Sequence, residues 1–166
     1  MDYSAIIRHI CNVFNRNSVE YLVVGGTAVA LHGYYRKSIN KGGQVVDKPD
    51  LDFWYNPTYP NYFNLLNSLE ALGKDVSEYR EEQAPDPRRS NFQLDFPDYS
   101  LDILPYIKAP LKFVQSFAKK EVFYSEGVEI SLISFDDLIL DKESMGRPKD
   151  MSDIENLKRN NPSQPL

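Results

Sequence analysis

Three carboxylates stand out by type and spacing: Asp50 and Asp52, separated by Leu51, and Asp102, set between Leu101 and Ile103. In an extended strand alternate side chains share a face, so Asp50 and Asp52 point together while Leu51 turns into the core. Their Cα atoms then lie roughly 6.5–7 Å apart, within reach of a common metal centre. Like charges held side by side are unfavourable without a counter-ion, and a divalent cation supplies one. If the strand of Asp102 lies beside the first, the three acids converge into a site for Mg²⁺ and a phosphate-bearing substrate. Upstream, Val23-Val24 runs into Gly25-Gly26-Thr27. A strand that enters two glycines and then a helix leaves backbone N–H groups where the dipole favours an anion, and no side chain blocks a phosphate. Glycine also serves such turns for steric reasons alone, and solvent-facing strands often carry alternating acids. The conjunction of all these features, in this order, is what argues for chemistry.

The elements that would position these residues follow from periodicity. Ile6, Ile7, Ile10, Cys11 and Phe14 recur at helical spacing, which predicts an amphipathic helix from about Tyr3 to Asn15. Tyr21 to Val24 reads as a short strand, and Thr27 as the cap of a helix through Leu31. Residues 33–49 are polar, basic and glycine-containing, with Lys41-Gly42-Gly43 at the tip. Leu51 to Tyr55 reads as a strand, and Tyr62, Leu65, Leu66, Leu69 and Leu72 as a helix closed by Gly73. Glu81 to Ser90 is expected to be a loop. Phe92 to Phe96 and Leu101 to Leu104 alternate around Pro97-Asp98, the pattern of a hairpin. Pro110 is expected to open a helix carrying Leu111, Val114 and Phe117, followed by a second hairpin around Glu126-Gly127. Ser134 then caps a helix ended by Gly146-Arg147-Pro148, and Asp150 starts a last one. The expected fold class is α/β (α+β), with a central mixed β-sheet flanked by helices: one domain over residues 1–160 and a tail at 161–166.

The chain has 166 residues, 42% hydrophobic and 26% charged, which suits one globular core. A net charge of −5 argues against a broad electrostatic grip on nucleic acid, though not against a small basic groove. One cysteine and two histidines exclude a Cys/His zinc site. Cys11, on the apolar face of the first helix, reads as a packed thiol. No apolar run is long enough for a membrane span and no signal peptide is evident, so the expected compartment is the cytoplasm. Among the 11 tyrosines, Tyr34-Tyr35 and, with Trp54, Tyr55 lie near the proposed cleft, where they could stack on a base or pack the core. His32 reads as a packed, hydrogen-bonded residue.

Gly-Gly-Thr, a helix, Asp-x-Asp on a strand and a later lone Asp on another strand together resemble the nucleotidyltransferase superfamily of the DNA polymerase β type. The run from Asp136 to Lys142, with Gly146-Arg147-Pro148-Lys149-Asp150 and Asp153, is similar to its small abortive-infection (AbiE-type) toxin branch. The resemblance spans about Val19 to Leu157. It implies a nucleotidyltransferase-like fold, two Mg²⁺ ions (Mn²⁺ as a substitute) on Asp50, Asp52 and Asp102, and deprotonation of an acceptor hydroxyl by Asp102. It also implies phosphate binding by Gly25, Gly26 and Thr27, with Arg36, Lys142, Arg147 and Lys149 facing the triphosphate or the acceptor. For the basic residues the alternative is an exposed helix surface, and Asp150 with Asp153 could simply begin the final helix. The segment Lys41–Lys48 separates the glycines from the acids more widely than the family does; it is a lid, an acceptor-binding loop or an inert hairpin.

The partners so implied are a nucleoside triphosphate, an acceptor that could be tRNA, a protein or a small molecule, and a protein encoded nearby in a toxin–antitoxin or phage-defence setting. Two other readings use the same residues: a non-catalytic interaction module of such a pair, and a two-metal phosphodiesterase or nuclease.

Overall fold

The computed structural model describes residues 2–33, 38–39, 45–46 and 48–161. Helix α1 (Tyr3–Arg16) begins where Asp2 accepts a hydrogen bond from the Ala5 N–H at 2.7 Å, and it buries the predicted stripe of Ile6, Ile7, Ile10, Cys11 and Phe14. Strand β1 (Tyr21–Val23) follows, then α2 (Gly25–Leu31). The cap of α2 is extended Val24, so both glycines form its first turn and Thr27 lies inside it, contrary to the expectation of a Thr27 cap. β2 (Ser38–Ile39) and β3 (Val45–Val46) pair antiparallel; Tyr34, Tyr35, Arg36 and most of the Lys41–Lys48 segment, residues 41–44 and 47, lie outside the described residues.

Strand β4 (Asp50–Tyr55) leads into α3 (Tyr59–Ala71), which Thr58 caps and Gly73 closes at φ +100°. The expected loop 81–90 is preceded by a short helix, α4 (Ser77–Glu81), and holds a 3₁₀ turn at Pro87–Arg89. β5 (Phe92–Asp95) and β6 (Ser100–Leu104) form the first predicted hairpin. Helix α5 starts at Phe113 and ends at Ala118, three residues after the expected Pro110 start. It buries Phe113 and Ser116 and leaves Val114 exposed, so its inner face differs from the predicted one. β7 (Glu121–Ser125) and β8 (Val128–Leu132) form the second hairpin. α6 (Phe135–Met145) runs from the Ser134 cap to left-handed Gly146, and α7 (Pro148–Asn160) is the last described helix.

Six strands make one mixed sheet in the order β5-β6-β4-β1-β8-β7, parallel at β6/β4 and β1/β8 and antiparallel elsewhere. Its two faces are told apart by alternation along β4. Phe53 meets Phe14 of α1 edge-on at 5.2 Å, and Phe92, in the same cross-strand row, meets Tyr62 of α3. Asp52 and Trp54 point the other way, towards α2 and α5; Trp54 packs edge-on against Phe113 at 5.3 Å and donates its indole N–H to the Pro105 carbonyl. Trp54 and Tyr55 are therefore core residues, not a platform for a base. α6 lies beside α2, and α7 beside α6. The thiol of Cys11 is buried and its pKa is pushed up to about 12, so it is unreactive near neutrality.

Candidate active site

The parallel ladder between β4 and β6 sets Asp50 opposite Ser100, Leu51 opposite Leu101 and Asp52 opposite Asp102. Residues in register on neighbouring strands share a face and sit about 5 Å apart, so Asp52 and Asp102 stand side by side on the α2 face. Gln93 of β5 extends the row beyond Asp102 and hydrogen-bonds its carboxylate. Asp50 lies one step along the same face, and its Oδ1 accepts a 2.8 Å hydrogen bond from the Ser100 hydroxyl. A cleft of about 290 Å³ opens beside Asp50 and Asp102, with Gln93, Asp95 and Ser100 on its walls. Lys48 reaches Asp95 at that rim.

The glycine turn meets Asp52 directly. The Gly26 N–H donates to Asp52 Oδ2 at 3.2 Å, and the Asp52 N–H donates to the Thr27 hydroxyl at 3.0 Å. Gly25 has φ +58°, and a Cβ there would stand 2.6 Å from Asp52 Oδ2. Both the backbone conformation and the space demand glycine. Gly25→Ala is expected to destabilise the fold by about 1–3 kcal/mol and to push the Asp52 carboxylate off the turn. Urea denaturation measures the first effect; a weaker metal response of the melting temperature measures the second. Thr27 is fully buried, with its hydroxyl engaged by the strand backbone.

Electrostatics mark the acids. Burial, then Asp50 and Asp102, push the Asp52 carboxyl up to about 7, against the opposing pull of Lys142 and the Gly26 N–H. Asp102 is also raised, by burial and by Asp50, against the Gln93 hydrogen bond, and its Oδ1 is buried without a hydrogen-bond partner. An all-oxygen donor set, an unsatisfied buried carboxylate oxygen and mutually repelling acids fit a hard divalent cation. Among the described residues no three His, Cys, Asp or Glu side chains already close around one point; Asp50 is turned to Ser100.

Asp52 holds its proton in the folded chain up to about pH 7 and releases it near 4 when unfolded, so its stabilising contribution is present below pH 4 and lost as pH rises through 7. Asp102, and Asp141, which is raised by burial, act in the same direction. The metal-free chain is expected to lose melting temperature from these groups between pH 5 and pH 8, and Mg²⁺ to restore more of it at pH 8. Differential scanning fluorimetry with EDTA or Mg²⁺ checks both.

The predicted basic residues take different places. Lys142 is fully buried, 3.3 Å from Asp150 Oδ1 and 3.1 Å from Asp153 Oδ2. Arg147 is half exposed and clamps Asp150 through Nε at 2.6 Å and Nη2 at 3.0 Å. Burial opposes ionisation of Asp150, yet the bonds from Arg147 and the charge of Lys142 hold its carboxyl below the usual range. Lys142 and Arg147 both act electrostatically on Asp52, so this buried group of opposite charges borders the acids. Lys149 is exposed at the start of α7, and Arg36 lies outside the described residues. Asp141, part of the Asp136–Lys142 run but given no role of its own there, accepts the Lys108 and Ala109 N–H groups at 2.9 and 3.1 Å and ties the segment after β6 to α6. Gln93 and Ser100 were also missed; only strand register places them. His32 hydrogen-bonds the Ile133 carbonyl at 2.9 Å, the packed role expected of it.

No family model matches the chain, and no curated protein matches its sequence. Among solved structures, an antigenic nucleotidyltransferase-like protein from Paracoccidioides brasiliensis is similar with a TM-score of 0.56 and 15% identity, over 96% of this chain and 75% of that one. At that identity the likeness speaks for the fold alone and does not reach the abortive-infection branch. The chain has a nucleotidyltransferase-like fold, a mixed six-stranded sheet flanked by helices, with Asp52 and Asp102 paired on adjacent parallel strands.

Proposed function

We propose that the chain is a metal-dependent nucleotidyltransferase that moves a nucleoside monophosphate from a nucleoside triphosphate to an acceptor hydroxyl. One observation carries the reading: Asp52 and Asp102 stand in register on neighbouring strands, with Asp52 held against the Gly25-Gly26 turn. Asp50, Asp52 and Asp102 would hold Mg²⁺, which supplies charge stabilisation to the transferring phosphoryl group and the leaving pyrophosphate. Asp102, with its unpartnered Oδ1 and raised pKa, takes the proton of the acceptor hydroxyl. The acceptor oxygen forms a bond to the α-phosphorus as the bond to pyrophosphate breaks in line. In this reading the glycine turn would lie beside the phosphates, Arg147 and Lys149 would offset their charge, and the cleft beside Asp102 would admit the acceptor.

The toxin–antitoxin or phage-defence setting rests on the motif resemblance of residues 136–153 and stands as part of the proposal. Among the described residues no helix is long and apolar enough to cross a membrane. The test is incubation with each α-labelled nucleoside triphosphate, Mg²⁺ and separated RNA, protein and small-molecule fractions of a cell extract. Label moving onto one fraction supports transfer. Degraded RNA without label indicates a nuclease, and no metal-dependent nucleotide binding indicates an interaction module.

A further inference from the structure

Strand β7 ends the sheet, and its ladder is with β8. Edge strands are normally blunted by charge, proline or shortness. Here Val122, Phe123 and Tyr124 follow one another at 41%, 43% and 66% exposure. The turn to β8 has two residues, Glu126 at φ +46° and Gly127 at φ +81°, so Ser125 and Val128 flank it as a hydrogen-bonded pair. Alternation then aims the backbone groups of Glu121, Phe123 and Ser125 at β8, and those of Val122 and Tyr124 away from the sheet.

We propose that β7 is the contact strand of a symmetric homodimer, pairing antiparallel with β7 of a second copy about a two-fold axis at Phe123. In that register Val122 of each copy lies opposite Tyr124 of the other, and every outward N–H and C=O of both residues is satisfied. The two Phe123 rings meet as the close, non-hydrogen-bonded pair, the position where aromatic pairs gain most. Charge selects this register over its neighbours. It sets Lys120 opposite Glu126 of the second copy at both ends, and Glu121 opposite Ser125. Moving the axis to Val122 would set Glu121 against Phe123; moving it to Tyr124 would set Val122 against Glu126. Only the Phe123 axis pairs apolar with apolar and cation with anion.

Sedimentation of the full chain from about 1 to about 100 µM is expected to show a mass rising from 19.1 kDa towards about twice that value. Tyr124→Pro removes an outward N–H without touching the β8 ladder, and is expected to abolish the dimer while leaving the melting curve cooperative. Lys120→Glu and Glu126→Lys each set like charges opposite at both ends and are expected to weaken association roughly tenfold. The double variant is expected to restore it. Arg8, which pairs with Glu126 within one copy, loses that partner in both the single and the double Glu126 variants, so rescue reports the contact between copies. A chain monomeric throughout, a dimer indifferent to Tyr124→Pro, charge variants without mutual rescue, or a monomer that captures a foreign strand at β7 would each overturn the proposal.

Discussion

Asp52→Asn is expected to lower nucleotidyl transfer by about 10³-fold or more, equivalent to roughly 4 kcal/mol of transition-state stabilisation, while the chain stays folded. Asparagine keeps the volume of Asp52 and can still accept from the Gly26 N–H, so the turn needs no rearrangement. What disappears is the anion between Asp50 and Asp102. Without it the metal-free protein gains stability: at pH 8 the variant is expected to melt above the wild type in EDTA and to respond little to Mg²⁺. Labelled-nucleotide transfer and paired melting curves read the two effects separately. Wild-type turnover in this variant, with any verified acceptor, would end the assignment of Asp52.

Lys142→Met is expected to cost about 3–5 kcal/mol of stability. The ammonium group is buried between Asp150 and Asp153, themselves fully buried, and its removal takes a shared cation away from both carboxylates at the junction between α6 and α7. Arg147 clamps Asp150 directly and acts on Asp153 through its charge, so the loss is offset in part. Urea denaturation gives the size of the loss, and adding Asp153→Asn to Lys142→Met is expected to recover part of it. A second readout goes beyond structure. Lys142 draws the Asp52 carboxyl down, so its loss is expected to move the pH dependence of the Mg²⁺-induced melting shift to higher pH. A purely architectural lysine would leave that dependence unmoved.

Local pattern was sufficient wherever the governing interaction is local. The stripe Ile6, Ile7, Ile10, Cys11, Phe14, the Ser134 cap and the Glu126-Gly127 turn each act within a few residues, and the elements form where periodicity sets them. The same alternation put Asp50 and Asp52 on one face. Pro110 misled because the missing N–H it supplies suits a helix start but does not compel one; the chain waits for Phe113, which has Trp54 to pack against. Thr27 misled similarly. Its hydroxyl finds the Asp52 N–H on another strand, a partner that no local rule announces. The pairing of Asp52 with Asp102, and with it Gln93 and Ser100, depends on which strands are neighbours. Lys142 read as a surface residue or phosphate ligand because lysine is so seldom buried; its two carboxylate partners sit a full helix turn or more further along, beyond a left-handed glycine.

The ladder between β4 and β6 has an evolutionary corollary. Slippage by a single residue would turn Asp102 to the α1 side and bring Leu101 or Ile103 beneath the glycine turn, exposing an entire apolar row. Leu51, Phe53, Leu101 and Ile103, all buried, are thus custodians of the carboxylate register. Exchange of these hydrophobes for others of similar bulk is expected to leave the carboxylates paired, so the arrangement can survive extensive change of sequence in the interior.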